Sequence, residues 1–378
     1  MDMDTKSISS STTSFDSEKG SGQRGVLNRR AAVLVLCALT ALVVLFLLDH
    51  LFMPKYSSEI YEGALIGEYY TSEKNHDLII IGDCEVYENL SPITLWEDFG
   101  ITSYVRGSPQ QLIWQSYYLL EDTLRYEKPK AIVFSVLAMK YGKPQSEAYN
   151  RLTLDGMRFS PSKIAAVKAS MTEGEDILSY LFPLLRYHER WKSLSPEDVR
   201  GMFSKKAVSF NGFMMRCDEK PLGTLPSVPK LPDYTIGEEC WKYLEKMRTL
   251  CEENGIRLVL LKAPSMYPHW YPEWDKYIRE YAERHGLLYI NALQENEDIG
   301  VDWQRDTYDA GLHLNRSGAE KFSKYLGGVL KEAIELKDWR ADEELCALWE
   351  QKRMRYYELA AIQLQEIETM GKISSLVY

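Results

Sequence analysis

The spacing of apolar residues changes character several times along the chain. Ala31 to Leu48 is apolar except for Thr40, and the run resumes with Leu51, Phe52 and Met53 beyond Asp49-His50. A stretch of this length, as a helix, crosses a hydrocarbon core of about 30 Å. Further on, short β-branched runs alternate with stretches of helical spacing. Strands are predicted at Asp77–Ile81, Ile101–Gly107, Ala131–Val136, Ile256–Leu261 and Leu287–Asn291, and helices at Pro92–Phe99, Gln110–Tyr126, Glu238–Asn254, Trp274–His285 and Arg316–Glu335. The strand runs are continuously apolar, which is the mark of strands covered on both faces. An α/β architecture with a parallel sheet follows, and its ligands belong at the carboxyl ends of the strands.

Two stretches interrupt the rhythm. Residues 141–232 are rich in Ser, Lys, Pro and aromatics and weak in periodicity, which predicts a helical and looped insertion able to form a cap. Residues 342–370 carry Leu345, Leu348, Trp349, Met354, Tyr357, Leu359, Ile362, Leu364 and Ile367 at helical spacing, after the sheet is complete. The expected organisation is a disordered tail over 1–30, a membrane span over 31–53, a juxtamembrane linker over 54–76, a catalytic-type domain over 77–335 and a C-terminal amphipathic helix within 336–378.

Charge orients this plan. Arg24, Arg29 and Arg30 precede the apolar run, whereas Asp49, His50 and Lys55 follow it, which holds the N-terminus in the cytoplasm and exports the remainder. A cleaved signal peptide is the rival reading; the long preceding tail and the lack of a small-x-small site favour an uncleaved signal-anchor. About 320 residues then lie outside, enough for one large domain. The net charge of −10 and the absence of a basic run speak against nucleic-acid binding. The six cysteines form no close pair and no zinc spacing, although a Cys217–Cys240 bridge is open to an exported chain. No metal or cofactor is expected.

The candidate chemistry lies at two places. The first predicted strand runs into Gly82-Asp83-Cys84-Glu85, and the last helix is preceded by Asp309-Ala310-Gly311-Leu312-His313-Leu314-Asn315. A strand that delivers a thiol, with a late Asp and His, suits nucleophilic acyl transfer: an imidazole takes the thiol proton, and Cys is intrinsically nucleophilic. Each residue also has a plainer reading. Cys84 suits a tight buried turn, His313 suits a helix start, Gly107 suits a strand end, and Arg106 suits an ion pair. Clustered aromatics at Met266–Trp274, after the fourth strand, suit either sugar stacking or packing.

The blocks Gly82-Asp83-Cys84, Gly107, and Asp309 with His313 resemble the layout of the SGNH/GDSL hydrolase superfamily over roughly residues 77–330, with Gly-Asp-Cys where the family has Gly-Asp-Ser. The resemblance implies a flavodoxin-like three-layer fold, with Cys84 as nucleophile, His313 as base, Asp309 as its orienting acid and Gly107 in the oxyanion hole. Asp83 and Arg106 stand beside them as substrate-binding candidates. The Asp-to-His spacing is four rather than three, with Asp306 as a substitute, and no Gly-x-Asn follows the third strand. Asn150 is the candidate for the oxyanion Asn. The implied activity is that of an ester hydrolase or O-acyltransferase acting on an acylated envelope or extracellular carbohydrate. The other reading is an inactive module that binds glycans or docks on a membrane acyltransferase partner.

Overall fold

The computed structural model describes residues 18–53, 63–203, 207–225 and 227–376, with side chains from Asn28 onward except that of Phe203. Five parallel strands form one sheet in the order β2-β1-β3-β4-β5: β1 Leu78–Gly82, β2 Ser103–Gly107, β3 Ala131–Ser135, β4 Arg257–Lys262 and β5 Leu288–Asn291. All five carboxyl ends therefore share one edge, and Gly82 pairs with Gly107 there.

Alternation along the strands sorts the core into two layers. Leu78, Ile80, Val105, Val133 and Val259 face helices α4 (Pro92–Phe99), α14 (Arg316–Ala333) and α15 (Glu343–Met370). Ile79, Ile81, Ile132, Phe134, Leu258 and Leu260 face α5 (Ile113–Thr123), α11 (Glu238–Glu253) and α12 (Pro272–His285). Burying each such side chain contributes about 1.5–3 kcal/mol, which is why these strands read as unbroken apolar runs. The fold is thus the three-layer α/β arrangement expected, and the extra C-terminal helix packs on it. Trp349 stacks on Trp96 with ring centroids 5.1 Å apart and planes 16° off parallel.

Helix α1 (Glu18–Phe52) covers the stretch expected to span: Asn28–Phe52 is long and apolar enough to cross a membrane, and its apolar window has no buried residue. The helix starts ahead of the apolar run, since extending an existing helix costs little compared with nucleating one. Of the tail expected to be disordered, residues 1–17 lie outside the described residues. Of the expected linker 54–76, residues 54–62 do as well, but from Gly63 the chain belongs to the body. There α2 (Ala64–Glu68) and the 3-10 turn Tyr69–Thr71 bury Leu65, Ile66 and Tyr69. Their apolar surface is wanted by the sheet's flank, so no free linker exists over these residues.

Two further short helices flank the site, α3 (Cys84–Tyr87) and α13 (Asn296–Ile299). The insertion carries α6 (Glu147–Leu154), α7 (Pro161–Ser170), α8 (Ile177–Leu181), α9 (Leu184–Tyr187) and α10 (Pro196–Phe203). Residues 204–206 and 226 within it lie outside the described residues.

Candidate active site

The turn after β1 is shaped by close approaches. Asp83 caps α3, its Oδ1 accepting from the Glu85 N–H at 3.1 Å, which sets Cys84 at the first helical position and half-buried. Gly107 at the end of β2 lies against this turn. A Cβ there would sit 2.9 Å from Val86 Cγ2 and 3.3 Å from the Asp83 carbonyl oxygen, so only glycine lets the two strand ends meet.

Across the sheet edge, the loop before α14 is tightly bonded. One Asp309 carboxylate holds His313 twice: Oδ1 accepts from the backbone N–H at 2.7 Å, and Oδ2 lies 2.6 Å from Nδ1. The turn between them uses left-handed backbone at Ala310 and Gly311, with φ of 67° and 99°. Thr307 Oγ1 accepts from the Gly311 N–H at 2.7 Å, and Tyr267 donates its hydroxyl to the Asp309 carbonyl at 2.6 Å. Asn89 ties the loop to the β1 side, its Oδ1 accepting from the Leu314 N–H at 2.8 Å. With Nδ1 engaged, the other ring nitrogen, Nε2, is buried and has no hydrogen-bond partner among the described residues, Cys84 Sγ included.

Electrostatics differ between the two sides. Burial pushes the Cys84 thiol well above its ordinary pKa, and Asp83, Glu85 and Glu88 push the same way, with Lys140 opposing. Asp83 itself is raised to about 6 by burial and by Glu85. Burial acts against a charged His313, but its bond to Asp309 and the nearby Glu88 outweigh it, so His313 titrates above the usual histidine value. Burial also raises Glu88, which accepts from the Tyr308 hydroxyl at 2.9 Å. The Tyr308 ring stacks near-parallel on His313 at 5.9 Å and lies under the Arg216 guanidinium.

The structure thus brings Asp83, Cys84, Gly107, Asp309 and His313 to one edge of the sheet. Arg106 is not among them. Its side chain is fully buried on the opposite flank, stacked 4.0 Å over the Tyr69 ring, donating to the Leu119 carbonyl and Thr123 Oγ1, and paired with Asp122. Adjacent strand residues point to opposite faces, so the residue before Gly107 leaves the cleft. Asn150 is likewise committed elsewhere: its Oδ1 accepts from Gln115 at 3.0 Å and its Nδ2 donates to the Ser170 carbonyl at 2.7 Å, inside the packing of α5 against α6 and α7. Asp306 accepts from the Asp302 N–H and from Lys321 and makes no contact with His313. Cys217 and Cys240 are free thiols, as are the other four. In the aromatic segment Trp270 and Tyr271 are buried in packing, and its first residues brace the histidine loop.

Sequence reasoning missed several residues that shape the site. Glu85 forms a fully buried ion pair with Lys262, Nζ to Oε1 at 2.6 Å, directly under the Cys84 turn. A lysine ending the apolar run of β4 was the available signal. Lys140, in the turn after β3, is close enough to interact with Asp83, Glu85 and Cys84, and burial lowers its pKa. It stands in the block where an oxyanion donor was sought. Among the described residues, no group of three or more His, Cys, Asp and Glu side chains is arranged to hold a metal ion.

No protein-family model and no curated protein matches the chain. Similar solved structures include a protein described as lipolytic and of the G-D-S-L family from Desulfitobacterium hafniense, 13% identical, covering 68% of this chain and 100% of its own, with a TM-score of 0.36. An acylhydrolase-type protein from Bacteroides fragilis is 9% identical over 71% of this chain and 94% of its own, at 0.34. A GDSL-like lipase from Bacteroides thetaiotaomicron is 12% identical over 72% and 100%, also at 0.34.

Proposed function

We propose that this chain is a membrane-anchored, extracytoplasmic acyl esterase or O-acyltransferase in which Cys84, His313 and Asp309 act together on an acyl ester of an envelope or extracellular carbohydrate. One observation carries the reading. The Asp309–His313 pair fixes the imidazole through Nδ1 and leaves Nε2 buried, without a partner among the described residues, at the sheet edge that also carries Cys84. An orphaned ring nitrogen in a built loop is poised to accept a proton from a group that approaches during the reaction.

In the proposed cycle the Cys84 sulfur attacks the acyl carbonyl while its proton passes to His313 Nε2. The tetrahedral oxyanion is met by backbone N–H donors at the Cys84 turn and near Gly107, with Lys140 adding positive charge. Collapse expels the carbohydrate oxygen, which takes the proton from His313 and leaves a thioester. Water or a second hydroxyl then attacks, giving its proton to His313, and the thiolate recovers a proton as the acyl group departs. Hydrolysis and transfer differ only in that second nucleophile. The anchor α1 supports work at a membrane face, and the basic residues ahead of it support a cytoplasmic N-terminus.

A second reading has its own support. The carboxylates around Cys84 oppose a thiolate, and His313 Nε2 makes no bond to the sulfur. These favour a catalytically silent module that binds glycan or docks on a membrane acyltransferase. Intact-mass measurement of the full chain after incubation with p-nitrophenyl acetate, beside Cys84→Ser and Cys84→Ala, separates the two. An acyl mass on Cys84 that depends on His313 is the expected result; folded protein with no adduct favours the silent module.

A further inference from the structure

The insertion makes a polar junction with the end of α1. Asp49 Oδ1 accepts from the Leu184 N–H at 2.7 Å, and Arg190 Nη1 donates to the Phe52 carbonyl at 2.6 Å. Helices α9 and α10 and the 3-10 turn His188–Lys192 between them all lie against α1. At 1.5 Å per residue, about 20 residues cross a core of about 30 Å, so a span entered at Ala31 leaves the hydrocarbon near His50. Leu184 and Arg190 are therefore held at the level where lipid headgroups begin.

Around these anchors the insertion turns large apolar side chains outward. Trp191 is 64% exposed, Phe182 57% and Leu185 53%, with Leu178 and Val199 also open. Over residues 177–203 the chain carries Arg186, Arg190, Lys192 and Arg200 against Glu189, Glu197 and Asp198, with Asp198 paired to Arg190 at 2.7 Å, so this face lacks the acidic excess of a molecule of net charge −10. Exposed Trp, Phe and Leu beside basic residues is the composition that settles at a membrane–water boundary. Such a cluster in water would be an unexplained apolar patch, whereas next to the end of a span it has an occupant at hand.

We infer that α8, α9, α10 and the intervening turn form a foot that sinks Phe182, Leu185 and Trp191 into the lipid interface and holds the body at a set height and tilt above the bilayer. The foot is joined to the body through α6, where Arg151 donates to Ser179 Oγ at 2.7 Å and Arg186 pairs with Glu147. Lipid contact at the foot therefore orients the sheet edge that carries Cys84 and His313. The inference rests on α1 as a membrane span, not on the chemistry assigned to Cys84.

The test uses the full chain in nanodiscs of phosphatidylethanolamine and phosphatidylglycerol, with p-benzoylphenylalanine replacing Phe182 or Trp191 in turn. Phe46 within α1 and Tyr357 on α15 receive the same replacement as positive and negative controls. After illumination, the expected result is a mass gain of one phospholipid at positions 46, 182 and 191 and none at 357. A lipid adduct at 46 with none at 182 and 191 overturns the foot while leaving the span intact. Adducts at none of the positions overturn the span and the foot together. In native membranes, protein adducts at 182 and 191 in place of lipid would also overturn it and assign this face to a protein partner.

Discussion

The two halves of the candidate site are built on different principles. The histidine half is a lattice of short, directional bonds, with Asp309, Thr307, Tyr267 and Asn89 leaving the imidazole one orientation. The cysteine half is organised by charge and burial: Asp83, Glu85 and Glu88 crowd the thiol, while Lys262 and Lys140 answer them. Orientation is thus in place before substrate arrives, and activation is not. In the cycle proposed above, a thiol kept protonated in the resting state loses its proton to His313 within the transition state itself. The same crowding should slow oxidation of Cys84, because thiolate rather than thiol is the reactive form.

The largest expected effect breaks the comparison outright. Cys84→Ala or His313→Ala should each lower ester turnover by on the order of 10³-fold or more, and the double variant should lose little beyond either single one, because the residues act as a unit. Steady-state assays of the purified chain read this, and near-wild-type turnover in Cys84→Ala would remove the cysteine half from the mechanism.

Next comes the buried pair beneath the turn. Lys262→Met leaves Glu85 uncompensated and should cost about 3–5 kcal/mol of stability, whereas Lys262→Met with Glu85→Gln should recover much of it. Denaturant midpoints of the detergent-solubilised chain measure both, and equal losses in single and double variants would contradict the pairing.

A pH profile sharpens the contrast. His313 titrates above the ordinary histidine value of about 6.5 and must be neutral to act as a base, so activity should climb with pH and level off only on the alkaline side of that value. Its contribution to stability has the opposite sense: complete below the unfolded-state pKa, and lost as pH rises through the folded one. Glu88→Gln removes a charge that favours the imidazolium, so the rising limb of the activity profile should move toward acid. An unmoved limb would show that Glu88 does not act on the ring. The smallest effect belongs to Asn150→Ala: about 1 kcal/mol of stability from lost hydrogen bonds, with turnover per folded molecule unchanged. A large loss of turnover would return Asn150 to the site.

The strands were readable because both faces are buried, which forces unbroken β-branched runs such as Leu78-Ile79-Ile80-Ile81. The Asp309–His313 pair was readable through its position before a helix, and its spacing of four runs through left-handed backbone at Ala310 and Gly311 that the sequence did not announce. Of the two readings of Arg106, the ion pair is the one met, but buried rather than at the surface, because its partners Tyr69 and Asp122 come from segments whose meeting no local pattern announces. The entry of 63–76 into the body was hidden for a similar reason: Leu65, Ile66 and Tyr69 are too few and too closely spaced to set a period. The acidity around Cys84 was visible all along in Asp83, Glu85 and Glu88, but its consequence depends on burial.

Helix α15 has a bearing on the order in which this molecule comes into being. It covers Trp96 with Trp349, Tyr356 donates to Glu320 on α14, and Gln363 accepts from the Cys217 N–H and donates to the Met215 carbonyl. Arg216, between those two residues, is the one lying over Tyr308. A chain made from its N-terminus has α1 hundreds of residues before the piece that seals this face. For that interval an apolar flank stands open, so newly made copies need shelter until α15 arrives.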